Sequence, residues 1–312
     1  MSLSEANQKY FDAISDSYDS KPWFAKVNQQ VTDFLRSRLD WVGIPLASPE
    51  STDQTVRLLD YACGPGLMSK VYGPYVTVTR GIDVSSKMVS TYNDRARAAG
   101  FPEEKIVAVQ GDIFVKDGPT SPELAKPEFY NFDLAIVGFG FHHFEDVVHA
   151  SRCLKERLRP GGVLLISDFL EGGDLMAHED GNPIAGSEGD HVGHIHHGHH
   201  EENHVEGHDH HGHDHSHNHH GHHHDHGHSK ESDDHDPGFK HLSKMNASIV
   251  VPSFTLAGVT QFFTEAGFVD VDVITMKEKV YMQFAGKKVW RTILFARGRR
   301  PLETEETAKS EL

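Results

Sequence analysis

The chain has 312 residues, with 30 basic and 46 acidic side chains, 26 histidines and a formal net charge of −16. Residues 171–240 hold 16 of the acids, only two lysines and 22 of the histidines, so the remaining chain is near charge balance and long enough to bury one full α/β core. Two distant cysteines, Cys63 and Cys153, offer no disulfide framework, no apolar run approaches the length of a bilayer span, and the lack of a basic stripe argues against nucleic acid.

These features predict a soluble, cytoplasmic protein, with the nucleus as the alternative compartment. In chain order, residues 7–41 read as helical, with Val27, Val31, Phe34 and Leu35 on one side, and residues 1–50 form the expected N-terminal helical cap. Strand-like runs rich in Val and Ile follow at 56–61, 76–84, 106–110, 132–137 and 163–169. A helix opens at Leu67. Another, capped by Ser85 or Ser86, presents Met88, Tyr92, Ala96 and Ala99 and stops at Gly100. A third runs from 145 to 159 and ends at Pro160-Gly161-Gly162. After the acidic, histidine-rich segment, Ser253 is the expected cap of a helix carrying Leu256, Val259, Phe263 and Ala266, with Gly267 as its stop.

The last two strands, 269–276 and 289–296, are joined by about a dozen residues with no crossover helix, which favours antiparallel pairing. The expected fold class is α/β: a Rossmann-like, seven-stranded, mostly parallel sheet with a reversed last strand and helices on both faces. Residues 51–170 and 241–300 form its main domain. Residues 171–240 read as a disordered insertion and 301–312 as a flexible tail.

The sharpest motif is Leu58-Leu59-Asp60-Tyr61-Ala62-Cys63-Gly64-Pro65-Gly66, a buried strand ending in a tight turn before a helix. Small residues there let a ligand approach the backbone closely, and helix N–H groups suit a carboxylate. Seventeen residues beyond Gly66, Asp83 ends the second strand, where a carboxylate can accept both hydroxyls of a ribose. Gly111-Asp112-Ile113 ends the third strand, where an adenine amino group would lie. Together these positions describe an adenosine site at the carboxyl ends of parallel strands.

His142 and His143 follow the fourth strand and are the candidates for a general acid or base; the competing reading is that they start a helix and pack or cap there. Asp133 reads as structural, and Cys63 as a small loop filler. A nicotinamide dehydrogenase would prefer a complete G-x-G-x-x-G, whereas Ser69 stands at the last position.

With Gly81-Ile82-Asp83, Phe132-Asp133-Leu134-Ala135, Phe141-His142-His143-Phe144, Leu158-Arg159-Pro160-Gly161-Gly162 and Glu265-Ala266-Gly267-Phe268 added in order, the chain resembles the class I S-adenosylmethionine-dependent methyltransferases. The similar branch includes the ubiquinone and menaquinone methyltransferases. The resemblance implies that Asp60, Ala62, Gly64 and Gly66 form the pocket for the methionine part and that Asp83 holds the ribose. It also implies that Val84 and Met88 pack on adenine, with Asp112 and Ile113 at its edge, that Phe139 borders the sulfonium, and that Tyr18 closes over the cofactor. Ala62 departs from the family, which usually has Gly there and so a slightly wider turn.

The implied reaction is in-line displacement of the sulfonium methyl by a small-molecule acceptor, in which alignment and exclusion of water are the protein's main contributions. Phe139, Phe141 and Trp23 suit an apolar or aromatic acceptor. The stretch 191–228, opened by His191 and closed by His228, is more than half histidine, with almost nothing apolar to bury. Such imidazole density chelates Zn²⁺, Ni²⁺ or Cu²⁺ through shifting ligand sets. Two other readings stand beside the enzyme: a protein methyltransferase or regulatory subunit with a protein partner, and a metal-binding protein on an inactive methyltransferase scaffold.

Overall fold

The computed structural model describes residues 2–47, 54–116, 121–192, 248–284 and 287–305. Five strands, β1 (Arg57–Tyr61), β2 (Val78–Asp83), β3 (Ile106–Gln110), β4 (Phe132–Gly138) and β5 (Leu158–Phe169), lie parallel in the order β3-β2-β1-β4-β5. Consecutive residues of β1 show why the strand reads as a continuous apolar run. Leu59 faces one buried cluster with Phe132 and Phe263, while Leu58 faces another with Tyr72 and Phe295, as expected of a sheet covered on both sides.

The sheet is completed by β7 (Val269–Thr275) and β10 (Ile293–Arg299), with β10 inserted antiparallel between β5 and β7. This is the expected seven-stranded sheet with a reversed last strand. A second sheet of three strands, in the order β6-β9-β8, combines β6 (Leu175–Met176), β8 (Val280–Phe284) and β9 (Lys287–Arg291).

The helical N-terminus is divided. α1 (Leu3–Ile14) starts with a capping box between Ser2 and Glu5, a 3₁₀ turn follows at Ser15–Ser17, and α2 (Pro22–Arg36) begins with Pro in its first turn. α3 (Leu67–Tyr72) and α4 (Ser86–Ala98) follow β1 and β2; the Ser85 side chain caps α4 by accepting from the Met88 N–H. Asp146 caps α5 (Val147–Arg157). The cap of α6 (Leu256–Glu265) is Thr255, not the expected Ser253: its side chain accepts from the Gly258 N–H.

Three boundaries differ from the sequence reading. The helix expected to reach 159 stops at Arg157, because Leu158 already pairs with Phe132; Pro160-Gly161-Gly162 therefore lies inside β5, across a register shift. A Cβ at Gly162 would lie 2.8 Å from the Phe132 carbonyl oxygen, which explains the glycine at that close approach. The strand expected over 289–296 is split at Thr292 between β9 and β10, since Arg291 turns into a buried ion pair with Asp174 and the chain changes sheets there.

The third difference concerns the insertion. Residues 171–192, expected to be disordered, are folded: Leu175 and Met176 pair with Trp290 and Val289, and the Trp290 indole N–H donates to the Gly181 carbonyl. The buried charge of Arg291 needs a partner, and Asp174 at 2% exposure supplies it. The remainder of the histidine-rich segment, residues 193–247, lies outside the described residues. At the C-terminus, Glu305 pairs with Arg299, while residues 306–312 lie outside the described residues. Among the described residues no helix is long and apolar enough to cross a membrane.

Candidate active site

The loops at the carboxyl ends of β1, β4 and β5 border one cavity of about 980 Å³, at the upper end of the range for small-molecule sites. Tyr18, Ala62, Gly64, Gly66, Phe139, His142 and His143 all line it. Asp60, Asp83, Val84, Met88, Asp112 and Ile113 do not.

The turn after β1 is shaped by backbone geometry. Ala62 sits at φ 52°, Gly64 at φ 48° and Gly66 at φ 97°. Ala62 thus occupies a left-handed position that glycine adopts without cost. A Cβ at Gly64 would meet nothing within 4 Å, so this loop presents bare backbone to open space, whereas one at Gly66 would press on the Tyr92 ring at 3.1 Å.

Two carboxylates support the turn from below. Asp83 accepts from the Gly64 N–H at 2.8 Å and the Ser85 N–H at 2.9 Å. Burial pushes its pKa up to about 6, against those two hydrogen bonds. Asp60, 1% exposed, accepts the Ser69 N–H and hydroxyl on the same oxygen, Oδ2, at 2.9 and 2.6 Å, and the Ser69 hydroxyl meets the Tyr92 hydroxyl at 2.6 Å. Burial raises the Asp60 carboxyl to about 7.

Of the remaining expected contacts, Met88 and Asp112 meet α1. Asp112 accepts from the Ser4 hydroxyl at 2.8 Å and the Tyr61 hydroxyl at 3.0 Å; Met88 is buried with Tyr10 and Ile14; Asp12 accepts from the Ser85 hydroxyl at 2.6 Å. Ile113 belongs to the main core, and the Val84 carbonyl accepts from the Gln110 side chain. Tyr18 packs edge-on to Phe11 and Phe24, and burial holds its hydroxyl above the ordinary phenol range.

The far side of the cavity is built by the segments after β4 and β5. Phe139 is held at φ 56°, its N–H donating to the Ser167 carbonyl. The His142 ring lies against Asp168, which is fully buried at the end of β5: Nδ1 stands 2.9 and 3.1 Å from its two oxygens, and one of them also accepts the His142 backbone N–H. With a carboxylate there, Nδ1 carries the proton and Nε2 is the basic nitrogen. His143 is engaged differently. Its Nδ1 meets the Ser248 carbonyl at 2.7 Å, and burial keeps the ring neutral, well below the usual imidazole range.

Sequence reasoning missed Asp168, Phe169 and Arg291. Asp168-Phe169 at the end of an apolar strand was the available signal for the first two; Arg291 carried none. Of the aromatic residues expected at the site, Phe141 is fully buried and stacks on Phe262 in the core, and Trp23 packs in the α2 cluster. Phe24 and Phe169 line the cavity instead. Among the described residues no group of three or more His, Cys, Asp or Glu is placed to hold a metal. The expected chelating stretch 191–228 lies, apart from His191 and Val192, outside them.

The residues present fit an adenosyl cofactor: a bare-backbone turn over open space, with Asp83 ending β2 and Asp112 in the loop just after β3. Comparison with known proteins agrees with that fit. A family model described as a methyltransferase domain matches residues 35–273. An uncharacterized methyltransferase of Schizosaccharomyces pombe is 34% identical over 119 residues, 38% of this chain and 40% of that protein. The 27-O-demethylrifamycin SV methyltransferase of Amycolatopsis mediterranei is 35% identical over 116 residues, 36% of this chain and 39% of that protein. The match thus spans about two fifths of these relatives. Among solved structures, the [4+2]-cyclase SpnF shares the fold, with a TM-score of 0.51 at 14% identity over 96% of this chain and 97% of that one. With the family model covering more than half of its length, the chain belongs to the methyltransferase-domain family, the class I S-adenosylmethionine-dependent methyltransferases.

Proposed function

We propose that the cavity is where S-adenosylmethionine meets a small-molecule acceptor, and that the acceptor atom is a hydroxyl oxygen. The observation that carries this reading is a single cavity bordered at one side by the Gly64-Pro65-Gly66 turn and at the other by His142, whose Nδ1 is taken by Asp168. In this reading Ala62, Gly64 and Gly66 receive the methionine part, Asp60 keeps the turn in place through Ser69, and Asp83 accepts the ribose hydroxyls. Val84, Met88, Asp112 and Ile113 take the adenine once α1 lifts, and Phe139 and Tyr18 border the sulfonium.

When bound, S-adenosylmethionine supplies an electrophilic methyl group and leaves as S-adenosylhomocysteine, with the carbon–sulfur electron pair on sulfur. The chain supplies the rest. His142 Nε2 takes the acceptor's hydroxyl proton as the oxygen bonds to the methyl carbon, Asp168 holds the ring in the required tautomer, and Phe139 and Phe169 keep water from the reacting atoms.

The test is calorimetry with S-adenosylhomocysteine. Two hydrogen bonds to a charged acceptor are worth about 1.5–3 kcal/mol each, so Asp83→Ala weakens binding by roughly a hundredfold or more. Affinity of the parent also falls as pH drops through about 6, where the Asp83 carboxyl takes up its proton and can no longer accept from both hydroxyls. Tight binding that survives Asp83→Ala refutes the ribose assignment.

A further inference from the structure

We propose that Arg291 is the residue that selects the acceptor, and that the acceptor is a flat, neutral hydroxy-carbonyl compound. Its carbonyl oxygen lies on the Arg291 guanidinium and its hydroxyl on His142. The proposal rests on the cavity being the methyl-transfer site and adds the chemical class of what is methylated there.

The Arg291 side chain is 4% exposed, yet it borders the cavity. Its Nε donates to Asp174 Oδ1 at 3.0 Å and its Nη2 to the Pro252 carbonyl at 3.1 Å, which leaves Nη1 without a hydrogen-bond partner among the described residues. A guanidinium fixed by buried partners, with N–H groups left open to the cavity, is a charged donor placed to hold a bound oxygen. Its place is tightly set: Cζ stands 3.8 Å from the centre of the Phe169 ring, and Asp174 is buried beneath it.

The charge around Arg291 decides what kind of oxygen fits. Asp174 already neutralises the guanidinium, and Asp168 and Asp190 add further negative potential. A carboxylate or phosphate entering here would meet those acids, whereas a neutral carbonyl gains the free N–H groups without that repulsion.

Phe169 decides the shape. It is flanked by Arg291 at 3.8 Å, His142 at 5.8 Å and Phe139 at 5.3 Å with 32° between the ring planes. The hydrogen-bond donor and the base thus border the same aromatic side chain, and a conjugated planar molecule suits the apolar wall that Phe139 and Phe169 share. Conjugation also links the two recognised groups chemically. A carbonyl held by a guanidinium draws electrons from the hydroxyl it is conjugated with, bringing that proton within reach of an imidazole base.

The experiment uses the full chain saturated with S-adenosylhomocysteine. Calorimetry compares 2- and 4-hydroxyacetophenone with 2- and 4-ethylphenol, which lack only the carbonyl, and with 4-hydroxybenzoate. The variants are Arg291→Lys and the double replacement Arg291→Gln with Asp174→Asn, which removes the pair together and leaves no charge stranded. Urea denaturation checks that each is folded.

The parent is expected to bind at least one hydroxyacetophenone roughly tenfold or more tightly than its ethylphenol. The double variant keeps the parent's affinity for S-adenosylhomocysteine and loses that preference. Equal binding of ketone and ethylphenol by the parent, a preference for hydroxybenzoate, or discrimination that survives in the double variant overturns the proposal while leaving the cofactor site in place. Failure of the parent to bind S-adenosylhomocysteine refutes the transfer-site reading itself, and this proposal with it.

Discussion

Replacing Asp60 with asparagine stabilises the protein at alkaline pH. The carboxyl group is 1% exposed, and burial raises its pKa from 3.8 to about 7, although the Ser69 N–H and hydroxyl both donate to it. Three pKa units correspond to about 4 kcal/mol, the free energy by which the charged form is disfavoured in the folded state relative to the unfolded chain. The two Ser69 donors converge on one oxygen, Oδ2, so an amide oxygen in that place retains both hydrogen bonds while the charge is removed.

The sign follows from proton binding. Between about 4 and about 7 the native carboxyl holds its proton while the unfolded one has released it, so this group adds stability as pH falls and withdraws it as pH rises through about 7. The asparagine variant lacks that term. It should exceed the parent by up to about 4 kcal/mol well above neutral pH, and the difference should vanish near pH 4. His143 titrates in both proteins and cancels in the comparison, whereas Asp83, whose charge helps raise the Asp60 carboxyl, gains from removal of that neighbouring charge and adds in the same direction. Urea denaturation of parent and variant across that pH range measures the difference, and a gap that does not change with pH refutes the argument.

Asp168→Asn presents an amide to His142 and places the ring proton on Nε2, so methyl transfer to a hydroxyl acceptor falls roughly 10²- to 10⁴-fold with S-adenosylhomocysteine affinity unchanged. Single-turnover rates and calorimetry measure the two quantities, and an unaltered rate excludes His142 as the base. Gly81→Ala places a Cβ 2.8 Å from the Ala108 Cβ and 3.0 Å from Cys63 Sγ, between β2 and β3 under the turn. Overpacking of this kind costs about 1–3 kcal/mol, read as a lower urea midpoint; an unchanged midpoint shows that the strands part without strain.

The order of strands and helices was legible because a parallel sheet buried on both faces writes its strands as unbroken Val, Ile and Leu runs. Leu58 and Leu59 satisfy the two cores at once. The turn from Ala62 to Gly66 and the carboxylates of Asp60 and Asp83 were legible for the same reason: each stands at the end of such a run, where topology leads every parallel strand to the same edge. The pattern could not reveal that α1 covers the far part of that edge. The Ser4–Asp112 contact joins residues 108 apart in the chain, and nothing local to either records it.

The pairs on the far side of the cavity are equally remote. His142 meets Asp168 across 26 residues, and Arg291 meets Asp174 across 117. Sequence alone determined the layers, the reversed strand and the turn and carboxylates at the strand ends, because burial periodicity and strand ends are local properties of the chain. Only the tertiary structure decided which histidine has a carboxylate behind it, that residues 171–192 pack beside the second sheet, and that an arginine lines the cavity. Those depend on how separate segments return to one place, where a buried charge is stable only beside its partner.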